Sequence, residues 1–478
     1  MRDSRKLSLL LSFYGDDFTG TAATAEALTV SGVPTLVFVE PPTVSFLQDR
    51  FPKLQAVGVA GMSRSLPTEA LEATLEPIFQ RMKRYRAPLF LYKVCSTFDS
   101  SPELGSIGRA IEIGKKVFSP RFIPILPAAP RFGRYTVFGH HFVALGGDVL
   151  RLDRHPSLSL HPATPMRESD LRRHLAKQTT LKSDLISILT LEKGKKQVGE
   201  RVQDALDHRV PLVFFDSLLN RHLKTACSVI WGYTEKGKTL FVAGSQELGY
   251  GLAEEWKRLD LLDRTAIPGS GLKGRKAEQV LVVSGSCASV TGRQIEWAAV
   301  HGFEEIGIHP ERLFEHEGHE AELQSIATAA VSALRRGTSV VIHSAVGPED
   351  PRIFRTKEKA ESLGLGSQAI IDGLGRALGS LARTILSRSG VRRLVLVGGD
   401  VSGVVSHALG IIALQVVKPV GIAAPLCFAY SSRAEFNGLQ VALKGGQVGE
   451  YDYFTAVRST RMPDFERVVL GDHRKSED

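Results

Sequence analysis

Ser8-Leu9-Leu10-Leu11-Ser12-Phe13-Tyr14-Gly15-Asp16-Asp17-Phe18-Thr19-Gly20 sets a short apolar run against a tight loop with two carboxylates, and a helical pattern begins immediately afterwards. Ser8–Phe13 suits a strand and Thr19–Ser31 a helix, and strand–loop–helix is the repeating unit of parallel α/β architecture. The unit recurs. Apolar, β-branched runs predict strands at Pro34–Val39, Ala56–Ala60, Pro88–Val94, Phe122–Leu126, Leu212–Phe215 and Leu240–Val242, with helices at Thr68–Arg84 and Pro102–Lys116. Residues 129–200 carry little periodicity and several His-Pro pairs, which reads as an irregular excursion of the first domain. Residues 267–279, Ile-Pro-Gly-Ser-Gly-Leu-Lys-Gly-Arg-Lys-Ala-Glu-Gln, have linker composition. Beyond them the alternation restarts: strands at Val280–Val283, Ser339–His343, Leu394–Val397 and Leu439–Leu443, helices near Val290–His301 and Gln368–Ser389, and a shorter helix after the third of these strands. The expected fold is therefore two α/β domains with mainly parallel sheets, 1–260 and 275–470.

Composition supports this reading. The 478 residues, 43% hydrophobic and 23% charged, can fill more than one core and are neither disordered nor fibrous. Four scattered cysteines form no C-x-x-C pair, which argues against a zinc site or disulfide framework and fits a reducing cytoplasm. The apolar run after Arg2, Arg5 and Lys6 is too short for a secretory signal. Residues 410–430 are strongly apolar, but Gln415, Lys418, Pro419 and Pro425 interrupt them, so a buried strand and turn is expected there and no membrane partner. The charge of +9 comes from basic residues scattered among acids, without runs or interleaved aromatics. That pattern argues against nucleic acid and suits an anionic small substrate.

Ligands of open α/β sheets bind beyond the carboxyl ends of strands, so chemistry is expected in the loops there. Asp16 and Asp17 can orient or deprotonate a polyol hydroxyl, with Thr19 and the helix N-terminus beside them; an N-cap alone would need only one such residue. Lys93-Val94-Cys95-Ser96-Thr97-Phe98-Asp99 ends another strand and offers a cation and hydroxyls for a sugar acid, although capping before Pro102 could also use them. Arg64 in Gly61-Met62-Ser63-Arg64-Ser65 could fork onto a carboxylate. In the second half, Ser284-Gly285-Ser286-Cys287, Gly398-Gly399-Asp400-Val401-Ser402-Gly403 and Lys444-Gly445-Gly446 each follow a strand. Three such loops point to a nucleotide phosphate site. Other motifs fail. Gly269-x-x-x-x-Gly274-Arg275-Lys276 lacks the Lys-Ser/Thr of a phosphate loop, Gly364-x-Gly366-x-x-Ala369 lacks a preceding strand, and His316-Glu317-Gly318-His319 lacks zincin spacing. His140-His141 read as packing or loop residues, and no metal ligand set is assigned.

In order along the chain, Asp16-Asp17-Phe18-Thr19-Gly20, Ser63-Arg64-Ser65, Gly133-Arg134-Tyr135-Thr136-Val137-Phe138-Gly139, Pro165 to Leu171, Ser284 to Gln294, Gly398 to Gly403 and Lys444 to Gly449 resemble motifs of the four-carbon acid sugar kinase family. The resemblance covers nearly the whole chain. It implies an N-terminal substrate domain, a C-terminal nucleotide domain and catalysis in the cleft between them. It also implies ATP and Mg²⁺ as cofactors, with ATP near Ser286, Gly398–Val401 and Gly446, and the acid near Asp16, Asp17, Arg64, Lys93, Ser96 and Thr97. Where such kinases read Lys-x-Asp-Ser-Thr-Leu-Arg, this chain has Cys95 for the Asp and Asp99 for the Arg. A cation is replaced by an acceptor for hydroxyls or a hydrated ketone. The chain thus looks like the branch that phosphorylates the branched five-carbon acid 3-oxoisoapionate. A nicotinamide-dependent sugar-acid dehydrogenase and a catalytically silent sensor are the alternatives. The former needs a dinucleotide fingerprint that no strand supplies. Which aspartate is the base, and whether the chain forms a homodimer, stay open.

Overall fold

Strand β1 (Leu11–Gly15) runs into the two-aspartate loop, and a helix, Phe18–Val30, starts directly after it in the computed structural model, which describes residues 7–161, 164–263, 274–314 and 319–465. Asp17 is extended (φ −142°, ψ 159°) and its side chain accepts from the Gly20 amide, so it caps the helix it precedes. The described chain divides into two compact units, one of residues 7–36 and 40–263, the other of 37–39 and 274–465.

The first unit contains β2 (Thr35–Phe38, its last residues counted with the second unit), β3 (Ala56–Ala60), β4 (Leu89–Lys93), β5 (Ile123–Leu126), β6 (Arg134–Val137), β7 (His140–Leu145), β8 (Asp148–Arg151), β9 (Ser183–Ile186), β10 (Leu212–Phe215) and β11 (Leu240–Gly244). Its main sheet runs β2-β3-β1-β4-β11-β5-β10-β9, and the pairs from β3 to β9 are all parallel. Strands β1, β3, β4, β5, β10 and β11 are buried along their whole lengths, the pattern of a sheet covered by helices on both faces. Phe79, from the helix Thr68–Lys83, packs over that sheet against Phe90 and Tyr14 at centroid separations of 5.0 and 5.8 Å. Because all of these strands point the same way, β1, β3, β4 and β11 bring their following loops to one edge.

Two expectations need correction. The helix after β4 does not start at Pro102: it spans Ile107–Phe118, with Ser106 accepting from the Arg109 amide, and Gly105 takes φ +60° in the turn before it. Pro102 disfavours helix in the residue before it but does not force one after it. Residues 129–200 are not irregular. Strands β6, β7 and β8 form a small antiparallel sheet, short helices occupy Leu171–Leu175, Ile188–Glu192 and Lys195–Asp207, and β9 extends the main sheet. Their short runs and half-exposed faces hide the period that reveals longer buried elements.

The second unit contains β12 (Leu281–Ser284), β13 (Phe303–Gly307), β14 (Ser339–His343), β15 (Arg393–Val397), β16 (Ile411–Gly421), β17 (Ala424–Ser431) and β18 (Gln440–Lys444). The order is β13-β14-β12-β15-β18-β17-β16, parallel from β13 to β18 and antiparallel for the last two pairings. The apolar stretch 410–430 is thus a long hairpin, with Pro419 and Pro425 facing each other near its turn. Strand β13 and the helices His319–Arg335 and Pro351–Ser362 were not anticipated from the sequence. Of the linker-like stretch, 267–273 lies outside the described residues, as do 315–318 of the histidine motif; beyond the former, Arg275 bridges to Met462. No helix among the described residues is long and apolar enough to cross a membrane.

Candidate active site

In the first unit the loops after β1, β3 and β4 assemble a closed quartet of charges. Arg64 grips Asp16 with two parallel bonds, Nε to Oδ2 at 3.0 Å and Nη2 to Oδ1 at 2.8 Å, and reaches Asp17 Oδ1 at 3.2 Å. Lys93 Nζ lies 3.2 Å from Asp17 Oδ1 and 3.5 Å from Asp16 Oδ1. The carboxylate that Arg64 forks onto is therefore Asp16, and both cations are neutralised within the site. Gly20 is required for this packing. A Cβ there would stand 1.8 Å from Lys93 Nζ and 2.2 Å from Asp17 Oδ1.

Burial by itself would raise the Asp17 pKa. Arg64 and Lys93, helped by a 2.9 Å hydrogen bond from Thr19 Oγ1 to Asp17 Oδ2, outweigh burial and hold it well below the usual carboxylate range. Lys93 is likewise desolvated, yet Asp17 and Asp16 raise its pKa and keep it charged. Asp17 Oδ1 is crowded by Gly20 N, Arg64 and Lys93, whereas Oδ2 receives only Thr19. The Asp17 side chain is 12% exposed against 2% for Asp16. Of the two aspartates, Asp17 offers the reachable oxygen.

Beyond Lys93 the loop continues through Cys95, whose Sγ is 2.9 Å from Thr97 Oγ1; burial, with Asp99 nearby, raises its pKa and keeps it a thiol. Phe98 is held at φ +59°, a strained conformation for a bulky residue, and it directs the backbone into Asp99. Asp99 Oδ1 is buried without a hydrogen-bond partner. The carbonyl of Ser96 is bound by His141 Nε2 at 2.8 Å, while His141 Nδ1 meets Thr136 Oγ1 at 2.9 Å. Burial pushes His141 down to about 4, so it is a neutral tie between the small sheet and this loop, as a packing role requires. Arg134 and Thr136 both belong to the Gly133–Gly139 motif, in which spacing alone assigns neither a role.

In the second unit, the loops after the adjacent strands β12, β15 and β18 come together. Gly398 adopts φ +109° and precedes the helix Gly399–Ala408, which has no side-chain cap, so its first amides are free for an anion. Asp400, Ser402 and Gly403 lie in the first turns of that helix, and buried Val401 packs where a Cβ on Gly285 would stand, 2.3 Å from Val401 Cγ2. A Cβ on Gly446 would meet Ser286 Oγ at 2.4 Å and Ala288 Cβ at 3.0 Å. Thr291, which lies within the Ser284 to Gln294 motif, ties the loops: its Oγ1 donates to the Gly446 carbonyl at 2.8 Å and lies 3.2 Å from both Ser286 Oγ and Lys444 Nζ. Lys444 is fully buried with that hydroxyl as its hydrogen-bond partner, and burial pushes it down to about 7. Glycine cradles and a buried lysine that makes no ion pair among the described residues fit a polyphosphate. Among the described residues no group of three or more His, Cys, Asp or Glu is arranged to hold a metal.

A family profile described as a sugar-binding N-terminal domain matches residues 11–252, and one described as a nucleotide-binding C-terminal domain matches 281–454. The chain is 41% identical over 455 residues to a 3-oxo-isoapionate kinase of Paraburkholderia graminis, covering 95% of each. It is 28% identical to a 3-oxo-tetronate kinase of Cupriavidus necator, covering 93% of this chain and 95% of the relative. A solved structure from Salmonella typhimurium LT2 has the same fold, with a TM-score of 0.73 at 23% identity, covering 93% of this chain and 98% of that one. These relationships first define a class: the protein is an ATP-dependent carbohydrate-acid kinase built from two α/β domains. More particularly, the chain belongs to the four-carbon acid sugar kinase family. The dehydrogenase and sensor alternatives find no support among these relatives.

Proposed function

We propose that the protein transfers the γ-phosphoryl group of ATP to a hydroxyl of a branched five-carbon oxo-acid, 3-oxo-isoapionate. The observation that carries this reading is the contrast in identity, 41% with the kinase named for that acid against 28% with the tetronate kinase. The local change to Cys95 and Asp99 in the loop after β4 agrees with a substrate other than a plain tetronate.

The first unit binds the acid and the second the nucleotide. ATP supplies the phosphoryl group, and Mg²⁺ enters on its phosphates. An ion that keeps most of its waters needs no three-acid protein cage. Ser286, the amides of Gly398–Val401, Ser402, Gly403 and the Lys444–Gly446 loop hold the phosphates, with Lys444 supplying charge to the bound anion. Asp17 orients the acceptor hydroxyl and takes its proton at Oδ2. Its depressed pKa is tolerable because a loose phosphoryl-transfer transition state demands little early deprotonation. Arg64, Lys93 and Thr19 hold Asp17 ionised and Asp16 fixes Arg64 in place, while Ser96, Thr97 and Asp99 meet the hydroxyls or hydrated ketone of the substrate.

ADP release with Mg·ATP, measured across C4 tetronates, 3-oxo-tetronates and branched C5 oxo-acids, tests the reading. Acid-stimulated release with a phosphorylated acid as product is expected. ATP binding without stimulation by any acid would return the sensor alternative.

A further inference from the structure

The quartet after β1, β3 and β4 contains two cations and two carboxylates, so neither Arg64 nor Lys93 has charge to spare for the carboxylate of an acid substrate. A cation without a counter-ion does stand nearby, on β6. Arg134 spends Nη1 on the Phe132 carbonyl at 2.6 Å, whereas its Nε is buried with no hydrogen-bond partner, and no carboxylate lies within ion-pair distance among the described residues. The Nε/Nη2 edge left over is the edge with which Arg64 grips Asp16, the geometry suited to two parallel bonds with a carboxylate.

The fold aims this side chain at the loop after β4. Successive side chains on a strand alternate faces, so Arg134 and Thr136 share one. Thr136 reaches the Ser96 carbonyl through His141, so that face is turned toward residues 95–99. Asp99 acts electrostatically on Arg134, and it carries the other orphan, its buried Oδ1. The two orphaned atoms are opposite in kind, a donor and an acceptor. Neither a hydrogen bond nor an ion pair joins them among the described residues.

We propose that Arg134 is the carboxylate-binding residue of the site, its Nε/Nη2 edge clamping the acid group while Asp99 Oδ1 accepts from a hydroxyl of the same molecule. This rests on the sugar-acid reading above and adds which residues recognise the acid and which the polyol.

The test is equilibrium binding measured calorimetrically without ATP, so that it does not depend on turnover. The probes are a C4 tetronate and the branched C5 oxo-acid, each beside its primary amide. Wild type should prefer acid over amide; Arg134→Met should weaken acid binding about a hundredfold and abolish that preference, and Arg134→Lys should restore part of it, as a lost bidentate ionic contact implies. Asp99→Asn should weaken both acid and amide and leave their ratio intact. Thermal midpoints and ATP affinity of the variants serve to separate misfolding from lost recognition. An Arg134→Met protein with wild-type midpoint and unchanged acid preference overturns the proposal. Acid-stimulated turnover by wild type alongside that result leaves the kinase reading standing. Arg134-dependent acid binding with no turnover on any acid does the reverse.

Discussion

At the residue scale the proposed chemistry rests on two ionisable side chains, Asp17 and Lys444. Asp17 combines a cap's geometry, its Oδ1 accepting from the Gly20 amide, with a second oxygen that the cap does not use. Asp17→Asn keeps the cap and the fold but removes the proton acceptor. Turnover should fall by roughly 10²–10⁴-fold while ATP affinity by calorimetry stays within error; undiminished turnover would remove Asp17 from the mechanism. Burial pushes the Lys444 ammonium down to about 7. The sign follows directly. ATP phosphates favour the ammonium form, so binding above that pH must take up a proton, and Kd for Mg·ATP should rise by up to about tenfold per pH unit from pH 7 to 9. Lys444→Met should bind weakly at every pH and lose this slope. A wild-type affinity flat across that range would mean that Lys444 does not meet the phosphates. Neither the quartet nor the burial of Lys444 could be read from spacing, since both depend on what long-range folding places around each side chain.

Among the elements, the strands buried on both faces were the legible ones. Ala56–Ala60, Leu212–Phe215 and Ser339–His343 have the bounds that their apolar runs predict, because a central parallel strand has no polar face to blur its ends. The small sheet β6–β8 was illegible for the opposite reason: its strands are short, partly exposed and interrupted by Phe138 and Gly139 in positive φ. Yet it carries Arg134, quoted in a motif without a role, and His141, whose tie to the Ser96 carbonyl only the folded chain reveals. Strand-end loops, by contrast, announced themselves through glycine. Gly446→Ala places a methyl group against Ser286 Oγ and Ala288. KM for ATP should rise about tenfold or more, the cost of overpacking a fixed loop, with KM for the acid unchanged. An unaltered KM for ATP would place the phosphates elsewhere.

For the whole molecule, the restart of strand–helix alternation after residue 279 correctly announced a second α/β unit, and the ordered motifs announced the family. What the chain as a whole does not settle by pattern is the acid. Relatives matched over nearly the whole chain act, by name, on different acids, and the proposed reading assigns the choice between them to side chains such as Cys95, Asp99 and Arg134. The most direct measurement is therefore kcat/KM for 3-oxo-isoapionate against 3-oxo-tetronate, under the same Mg·ATP concentration. The account predicts a ratio of at least about a hundredfold in favour of the branched acid, the discrimination expected when a site hydrogen-bonds a group that the competitor lacks. A ratio near one, or a preference for the four-carbon acid, would contradict it.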